Sequence, residues 1–190
     1  MFKFEKLVFG DLGWGDEFLF ATLMTITVSI LSMGLGLCLA IVTVWAKLIT
    51  NKITRLIANF YTTVVRGVPE LLVIYLIFFG GNSVVMSIAK LFGYNGYIEL
   101  NALTIGTIAI AFISATYSSE VLRAAYLAVN QGQIEAAKAL GLNKFQIFFK
   151  VMGPQILRHA LPGIGNVWQI TLKDTSLISV TGLVEIMRQT

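Results

Sequence analysis

Four charged side chains beside long apolar segments have the clearest chemistry in this sequence: Arg66, Glu70, Glu120 and Arg123. Ionisable groups at such positions are costly to bury and often mark an ion or substrate path. Glu120 and Arg123 lie three residues apart, so one helix face would carry both and let them pair. Arg66 comes just before the kink-prone residues 67–69 and is expected to reach the carboxylate of Glu120 or Glu70.

These groups allow two interpretations. They form a structural ion-pair network near one membrane interface, or Glu120 lines a gate and recognises a cationic group of a substrate. Asn166 and Trp168 extend the second interpretation, because polar groups on interrupted helices often line transport routes. For Trp168, packing at an interface between helices is the alternative.

The sequence lacks the motifs that would indicate nucleotide binding or catalysis. The sequence contains no G-x-x-x-x-G-K-[ST] loop, no dinucleotide fingerprint and no nucleophile with a plausible base. His159 is a lone histidine beside Arg158, and Cys38 is the one cysteine, which excludes an internal disulfide. We therefore predict that this chain is not an enzyme, has no catalytic or metal-binding residues, and binds no cofactor itself.

The composition is that of a membrane protein. Hydrophobic residues make up 56% and charged residues 13% of the 190 residues, and the mean hydropathy is +0.80. Soluble domains carry about 25% charged residues. The net charge of +4 could suggest a nucleic-acid partner, but the basic residues fall between apolar segments, as in polytopic membrane proteins.

Charge-free runs cover residues 18–46, 71–89 and 100–119, and each is long enough to span a bilayer. Residues 53–65 are amphipathic and extend the second helix. A fourth stretch, 159–172, contains Pro162 and two glycines and is expected to be a broken helix. We predict an all-α integral membrane protein with four spans near residues 18–46, 56–80, 100–124 and 156–180, preceded by an extracytoplasmic segment 1–17.

The first span also carries a stripe of small and hydroxylated residues. Its members recur at steps of three and four, which places them on one face: Thr22, Thr25, Ser29, Ser32 and Gly36. Such residues let helices approach closely in lipid. The stripe predicts helix packing within the subunit, and direct contact with a substrate is the alternative.

The distribution of lysine and arginine predicts the orientation. Basic residues cluster after the first and third spans: Lys47, Lys52, Arg55, Arg123, Lys138, Lys144, Lys150 and Arg158. The loop between the second and third spans holds only Lys90 and Glu99. By the positive-inside rule the N-terminus is outside and residues 125–158 face the cytoplasm.

The cytoplasmic loop 130–154 has the pattern of two short helices. Strong helix formers cover 133–140, Gly141 suits a left-handed turn, and Asn143 can cap the next helix. That second helix, 144–151, is expected to turn its phenylalanines, 145, 148 and 149, to its apolar side and to end at Pro154. Its core is too small to stand alone, which predicts a partner groove.

Here the residues resemble a known family. Glu135-Ala136-Ala137, Gly141 six positions after the glutamate, and Val-x-Gly-Pro at 151–154 are similar to the EAA loop of ABC-importer permeases. Further stretches resemble the polar amino acid and opine group, which includes histidine, arginine and octopine permeases: Arg66-Gly-Val-Pro-Glu-Leu-Leu, Tyr117-Ser-Ser-Glu-Val-Leu-Arg, and Leu161-Pro-Gly-Ile-Gly-Asn-x-Trp-Gln. Where the family usually has leucine before the proline, this chain has Gly153.

The resemblance implies a MetI-like bundle with two coupling helices that dock on a separate ATPase. Glu135, Ala136, Ala137, Gly141 and Pro154 would then be the coupling residues. Glu135 either pairs with a basic residue of the ATPase or interacts favourably with the dipole of its own helix. Permeases of this group usually have a fifth span, so the resemblance implies a chain truncated before that span, and a natural four-span variant is the alternative.

The implied partners are an ABC ATPase that carries ATP and Mg²⁺, a second permease subunit (identical or a sister chain), an extracytoplasmic substrate-binding protein and membrane lipid. The implied location is the bacterial inner membrane, and the implied cargo is a basic amino acid, another polar amino acid or an opine. The competing function is a secondary transporter or channel, which would work without an ATPase. The paired coupling helices favour the importer.

Overall fold

The computed structural model describes residues 14–93 and 101–181. These residues are helical throughout, apart from short connections. The elements are α1 (Gly15–Leu48), α2 (Lys52–Gly67), α3 (Glu70–Leu91), α4 (Ala102–Leu127), α5 (Gln131–Ala139), α6 (Lys144–Ile147), a π-helical turn (Phe148–Met152), α7 (Gly153–Asp174) and a 3-10 segment (Thr175–Thr181).

Three of these helices, α1, α3 and α4, are long and apolar enough to cross a membrane, with 18-residue windows of mean hydropathy 2.2, 2.1 and 1.4. A helix of about 20 residues spans the hydrocarbon core of a bilayer. α4 is the central one, since 67% of its window is buried against 33% for α1 and 12% for α3. It packs against α1, α2, α3 and α7.

The stripe on α1 packs against α4, as the sequence predicted. Ser32 is fully buried, and its hydroxyl donates to the carbonyl of Thr107, 3.1 Å away. A Cβ added at Gly36 would lie 2.2 Å from Ser114 Oγ and 3.1 Å from the Ala111 carbonyl oxygen. Glycine is therefore required for this helix–helix approach.

The second span differs from the prediction, which ran one helix over residues 56–80. The chain instead breaks between Gly67 and Glu70, because proline at 69 has no N–H to donate and disfavours helical geometry at Val68, which is extended (φ −107°, ψ 142°). α2 is a separate amphipathic helix that exposes Leu56 and Phe60 and buries Thr62.

The fourth stretch, expected to be broken or poorly embedded, is continuous through Pro162, since α7 runs from Gly153 to Asp174. The helical geometry changes at Thr175, directly after Lys173 and Asp174. Gly163 lets α7 lie close to α4, because a Cβ there would lie 2.6 Å from Val121 Cγ1. The segment predicted over 1–17 lies mostly outside the described residues.

Candidate functional site

Glu120 is the centre of a buried ion-pair network that joins three helices. Its Oε1 accepts a hydrogen bond from Lys47 Nζ on α1, and its Oε2 accepts one from Arg123 Nε at 2.9 Å. Lys47 Nζ also donates to Thr62 Oγ1 on α2, at 2.7 Å. The Lys47 side chain is 3% exposed, Glu120 27% and Arg123 41%. The predicted Glu120–Arg123 pair is therefore confirmed, with a more deeply buried partner beside it.

Sequence reasoning assigned Lys47 only to the orientation of the chain and missed its role as that partner. A signal was present. The buried positions of α1 continue through Gly36, Ala40, Thr43 and Lys47, at steps of three and four. If the stripe of small residues is extended by three more positions, it predicts that the Lys47 side chain faces α4.

A second polar group lies beside the first. Tyr117 Oη donates to Glu70 Oε1 at 3.0 Å, and the Arg66 guanidinium lies over the Tyr117 ring, 5.4 Å from its centroid. The Asp174 carboxyl, which is 7% exposed, lies near that of Glu70. The ion pair predicted for Arg66 with Glu120 or Glu70 is wrong, because no described carboxylate lies within 4.0 Å of its nitrogens.

A polar cleft of about 490 Å³ connects the two groups. Thr62, Thr63, Arg66, Tyr117 and Glu120 line it, so a cation and an anion face one space. Such a cleft can bind the carboxylate of a zwitterion at one end and a cationic group at the other. We call these residues, with Lys47, Glu70, Arg123 and Asp174, the charged cluster.

The two predicted residues on α7 lie elsewhere. Trp168 Nε1 donates to Ser29 Oγ on α1 at 2.8 Å, so its indole contributes to helix packing, which was the alternative interpretation of this residue. Asn166 is exposed on α7. Neither lines the polar cleft.

The coupling segment, residues 130–154, contains the left-handed turn and the second helix cap that its sequence predicted. Asn130 Oδ1 accepts from the N–H of Gly132 at 2.8 Å and caps α5. Gly141 takes φ +74°, a backbone conformation that favours glycine. Asn143 and Gln146 form a reciprocal capping box at the start of α6, with distances of 2.9 and 3.0 Å.

This segment has a buried side that the sequence did not predict. Its inward residues Ala137, Ile147 and Met152 form one core with Val129 and with neighbours from the end of α4 and the start of α7. The three phenylalanines lie on an exposed apolar side, as the predicted need for a partner groove requires: Phe145, Phe148 and Phe149 are 71%, 46% and 58% exposed. The segment thus packs on its own chain and presents an aromatic surface.

The sequence predicts that the second helix ends at Pro154, but the structure shows that it does not. The π-helical turn carries α6 directly into α7, and Pro154 follows that turn as the second residue of α7. Gln155 Nε2 donates to Gln133 Oε1 at 2.6 Å and ties α7 to α5. Of the predicted coupling residues, Glu135, Ala136, Gly141 and Pro154 are exposed and Ala137 is buried.

Comparison with known proteins decides the family. The family described as binding-protein-dependent transport system inner membrane component matches residues 32–190. The chain belongs to this family. It is a permease subunit of an ABC importer.

Among the described residues, no group of three or more His, Cys, Asp or Glu side chains is placed to hold a metal ion.

Individual relatives agree over nearly the whole length of this permease. It is 52% identical over 183 residues to a nopaline transport system permease of Agrobacterium fabrum, covering 96% of this chain and 78% of the relative. An octopine transport system permease of Rhizobium meliloti is 45% identical over 185 residues, with coverage of 97% and 78%. A crystal structure of an amino acid ABC transporter with histidines superposes with a TM-score of 0.76, at 30% identity, over 93% of this chain and 77% of that one.

Proposed function

We propose that this permease imports a polar amino acid or an opine, driven by a separate ATPase that docks on the coupling segment. The observation that carries the proposal is the construction of that segment. Its apolar side is buried against α4 and α7, while Glu135, Ala136 and the three phenylalanines remain exposed. A self-packed pair of helices with an exposed outer face suits rigid-body contact with a partner.

The cargo class rests on the charged cluster together with the relatives. The relatives named above are permeases for nopaline and octopine, and the superposed structure is an amino acid transporter. Polar amino acids and opines carry carboxylate and ammonium-type groups, and the cleft between Arg66 and Glu120 presents one charge for each. Glu120 would recognise the cationic group, and Arg66 the carboxylate.

The assembly follows from the division of labour. ATP and Mg²⁺ bind the ATPase, an extracytoplasmic binding protein delivers the cargo, and a second permease subunit completes the pathway. We place the chain in the bacterial inner membrane with its N-terminus outside and the coupling segment in the cytoplasm. Lys52, Lys138, Lys144 and Lys150, all exposed at that end, support this orientation.

Coupling would pass from the ATPase to the membrane helices through two connections. The π-helical turn joins α6 to α7 without a flexible loop, so motion of the coupling segment reorients α7. The Glu120 network ties α1, α2 and α4 together, so these helices move as one body. The cleft is lined by α2 and α4 and lies within that body, so movement of α7 would leave its lining unchanged and alter its access to one side of the membrane.

Vesicle transport tests the mechanism. The permease, its partner permease and the ATPase are reconstituted in liposomes with the binding protein, and radiolabelled amino acid or opine uptake is measured with and without ATP. We expect uptake only when both ATPase and ATP are present. Equal uptake by vesicles that lack the ATPase would establish the secondary transporter or channel and overturn the importer.

Cargo recognition is tested at the cleft. Glu120→Gln keeps a hydrogen-bonding side chain but removes the charge, so we expect a loss of preference for cationic over neutral cargo. Because the change also leaves Lys47 without its anionic partner, preference is compared only in protein that is folded at the assay temperature. Thr63→Val alters the cleft wall without touching the ion-pair network and serves as a second cleft variant, expected to raise KM for all cargo. Glu135→Gln, outside the cleft, is the matched control for preference. Unchanged preference in Glu120→Gln would remove the recognition role.

A further inference from the structure

An apolar groove of about 550 Å³ lies between the membrane helices and the coupling segment. One wall is the last two turns of α1, including Ile41 and Trp45, and the other includes Leu122 of α4 and Ile147 of α6. Ile41 and Trp45 are 61% and 65% exposed. The groove is therefore open to the surroundings beside the C-terminal end of α1.

Two lysines are among the residues that line this groove. Lys138 of α5 and Lys144 of α6 both line it, and both are exposed. Neither forms an ion pair with any carboxylate in the described part of the chain, and no acidic side chain lines the groove. The groove thus combines a mostly apolar lining with two uncompensated positive charges.

We propose that the groove binds an anionic phospholipid from the leaflet that faces the coupling segment. One acyl chain lies along Ile41, Leu122 and Ile147, and the phosphate lies between Lys138 and Lys144. Basic pockets between membrane helices at one surface bind anionic headgroups, and an exposed tryptophan at that level is typical of the bilayer interface. The charge of the lysines selects an anionic lipid over a zwitterionic one.

The position of the lipid gives it a structural role. Ile147 belongs both to the groove wall and to the core of the coupling segment, so a bound acyl chain extends that core toward α1. The lipid would hold the segment against the ends of α1 and α4. This inference goes beyond the proposed function, since neither cargo binding nor ATPase docking requires the groove to be filled.

Native mass spectrometry tests the proposal on the assembled transporter in detergent. The complex is titrated separately with dioleoyl phosphatidylglycerol and dioleoyl phosphatidylcholine, and the ratio of the two affinities is the readout. A lysine near a membrane surface contributes about a fivefold factor in affinity for anionic lipid, so we expect Lys138→Gln with Lys144→Gln to lower the ratio about thirtyfold. Lys150→Gln, an exposed lysine outside the groove, is the matched control and should leave the ratio unchanged.

A second variant and a cross-link locate the acyl chain. Ile41→Trp fills the slot and should weaken both lipids alike, without changing their ratio. Phosphatidylglycerol with a photoreactive acyl chain should label peptides of α1, α4 and α6, and labelling should fall in Ile41→Trp. The proposal is overturned by an unchanged ratio in the double lysine variant, or by labels confined to other helices. It is also overturned if a photoreactive cross-linker placed at position 45 captures a second permease subunit. All of these measurements are made without ATP or cargo, so their failure is distinct from failure of the importer mechanism.

Discussion

The charged cluster and the coupling segment place polar groups in opposite settings. In the cluster, Lys47 is 3% exposed and depends on the Glu120 carboxylate of another helix. In the coupling segment, polar contacts are local, such as the Asn143–Gln146 capping box, and the charged side chains, Glu135 among them, are exposed. In the charged cluster, ion pairs join different helices, whereas in the coupling segment the charged side chains are exposed and can contact a partner. Substitutions in the first should therefore damage stability, and substitutions in the second should damage coupling.

The largest effect is expected when Lys47 loses its partner. Glu120→Ala leaves a buried ammonium group unpaired, which costs about 3–5 kcal/mol, so the variant should unfold at a much lower temperature in detergent. Arg123→Gln removes the more exposed partner and is the control, with a far smaller loss. Adding Lys47→Met to Glu120→Ala should restore most of the stability. If Arg123→Gln and Glu120→Ala lower the unfolding temperature equally, Lys47 is not the buried cation that depends on the Glu120 carboxylate.

Helix packing beside the cluster gives the next largest effect. Gly36→Ala introduces a methyl group 2.2 Å from Ser114 Oγ, and overpacking of this kind costs about 1–3 kcal/mol. Gly34→Ala is the matched control on the same helix, since a Cβ there meets nothing within 4 Å. Thermal unfolding of the two variants should therefore differ, with Gly34→Ala at or above the wild type. A loss in both would mean that helix α1 needs glycine for another reason.

In the coupling segment the expected loss is smaller and affects a different property. Gly141→Val forces a branched residue into φ +74°, at a cost of about 1–2 kcal/mol, which distorts the turn between α5 and α6. ATP hydrolysis stimulated by loaded binding protein should fall sharply, while the unfolding temperature of the membrane helices stays near that of the wild type. Gly141→Asn is the control, because asparagine tolerates this conformation better. If stimulated ATP hydrolysis is normal in Gly141→Val, the turn between α5 and α6 is not needed for ATPase docking.

The smallest effect is expected at the capping box. Asn143→Ala removes the acceptor for the Gln146 N–H and should destabilise the start of α6 by about 1 kcal/mol. Hydrogen exchange of the residue 144–147 amides should accelerate, with a partial loss of coupled hydrolysis. Asn143→Ser keeps a capping oxygen and should restore protection. Exchange that accelerates equally in α1 would show that the coupling segment and the membrane helices are one cooperative unit.

Local sequence patterns determined much of this protein. The charge-free runs predicted membrane helices that the structure contains as α1, α3 and α4. Asn143 and Gly141 predicted a cap and a left-handed turn, and both are present, because such motifs depend on neighbours within four residues. The stripe on α1 predicted a packing face, since helical periodicity alone decides which residues share a face.

Only the tertiary structure decided which groups meet across helices. Lys47 looked like an orientation signal, Asp174 like part of a helix break, and Arg66 like an ion-pair partner of Glu120. In the structure Lys47 pairs with Glu120, Asp174 meets Glu70, and Arg66 lies over the Tyr117 ring. The phenylalanines of α6 and of the π-helical turn are exposed for the same reason, because Ile147 and Met152 fill the space against α4 and α7. Spacing along the chain determines the face of a helix, but the helix that covers this face depends on the packing of the whole bundle.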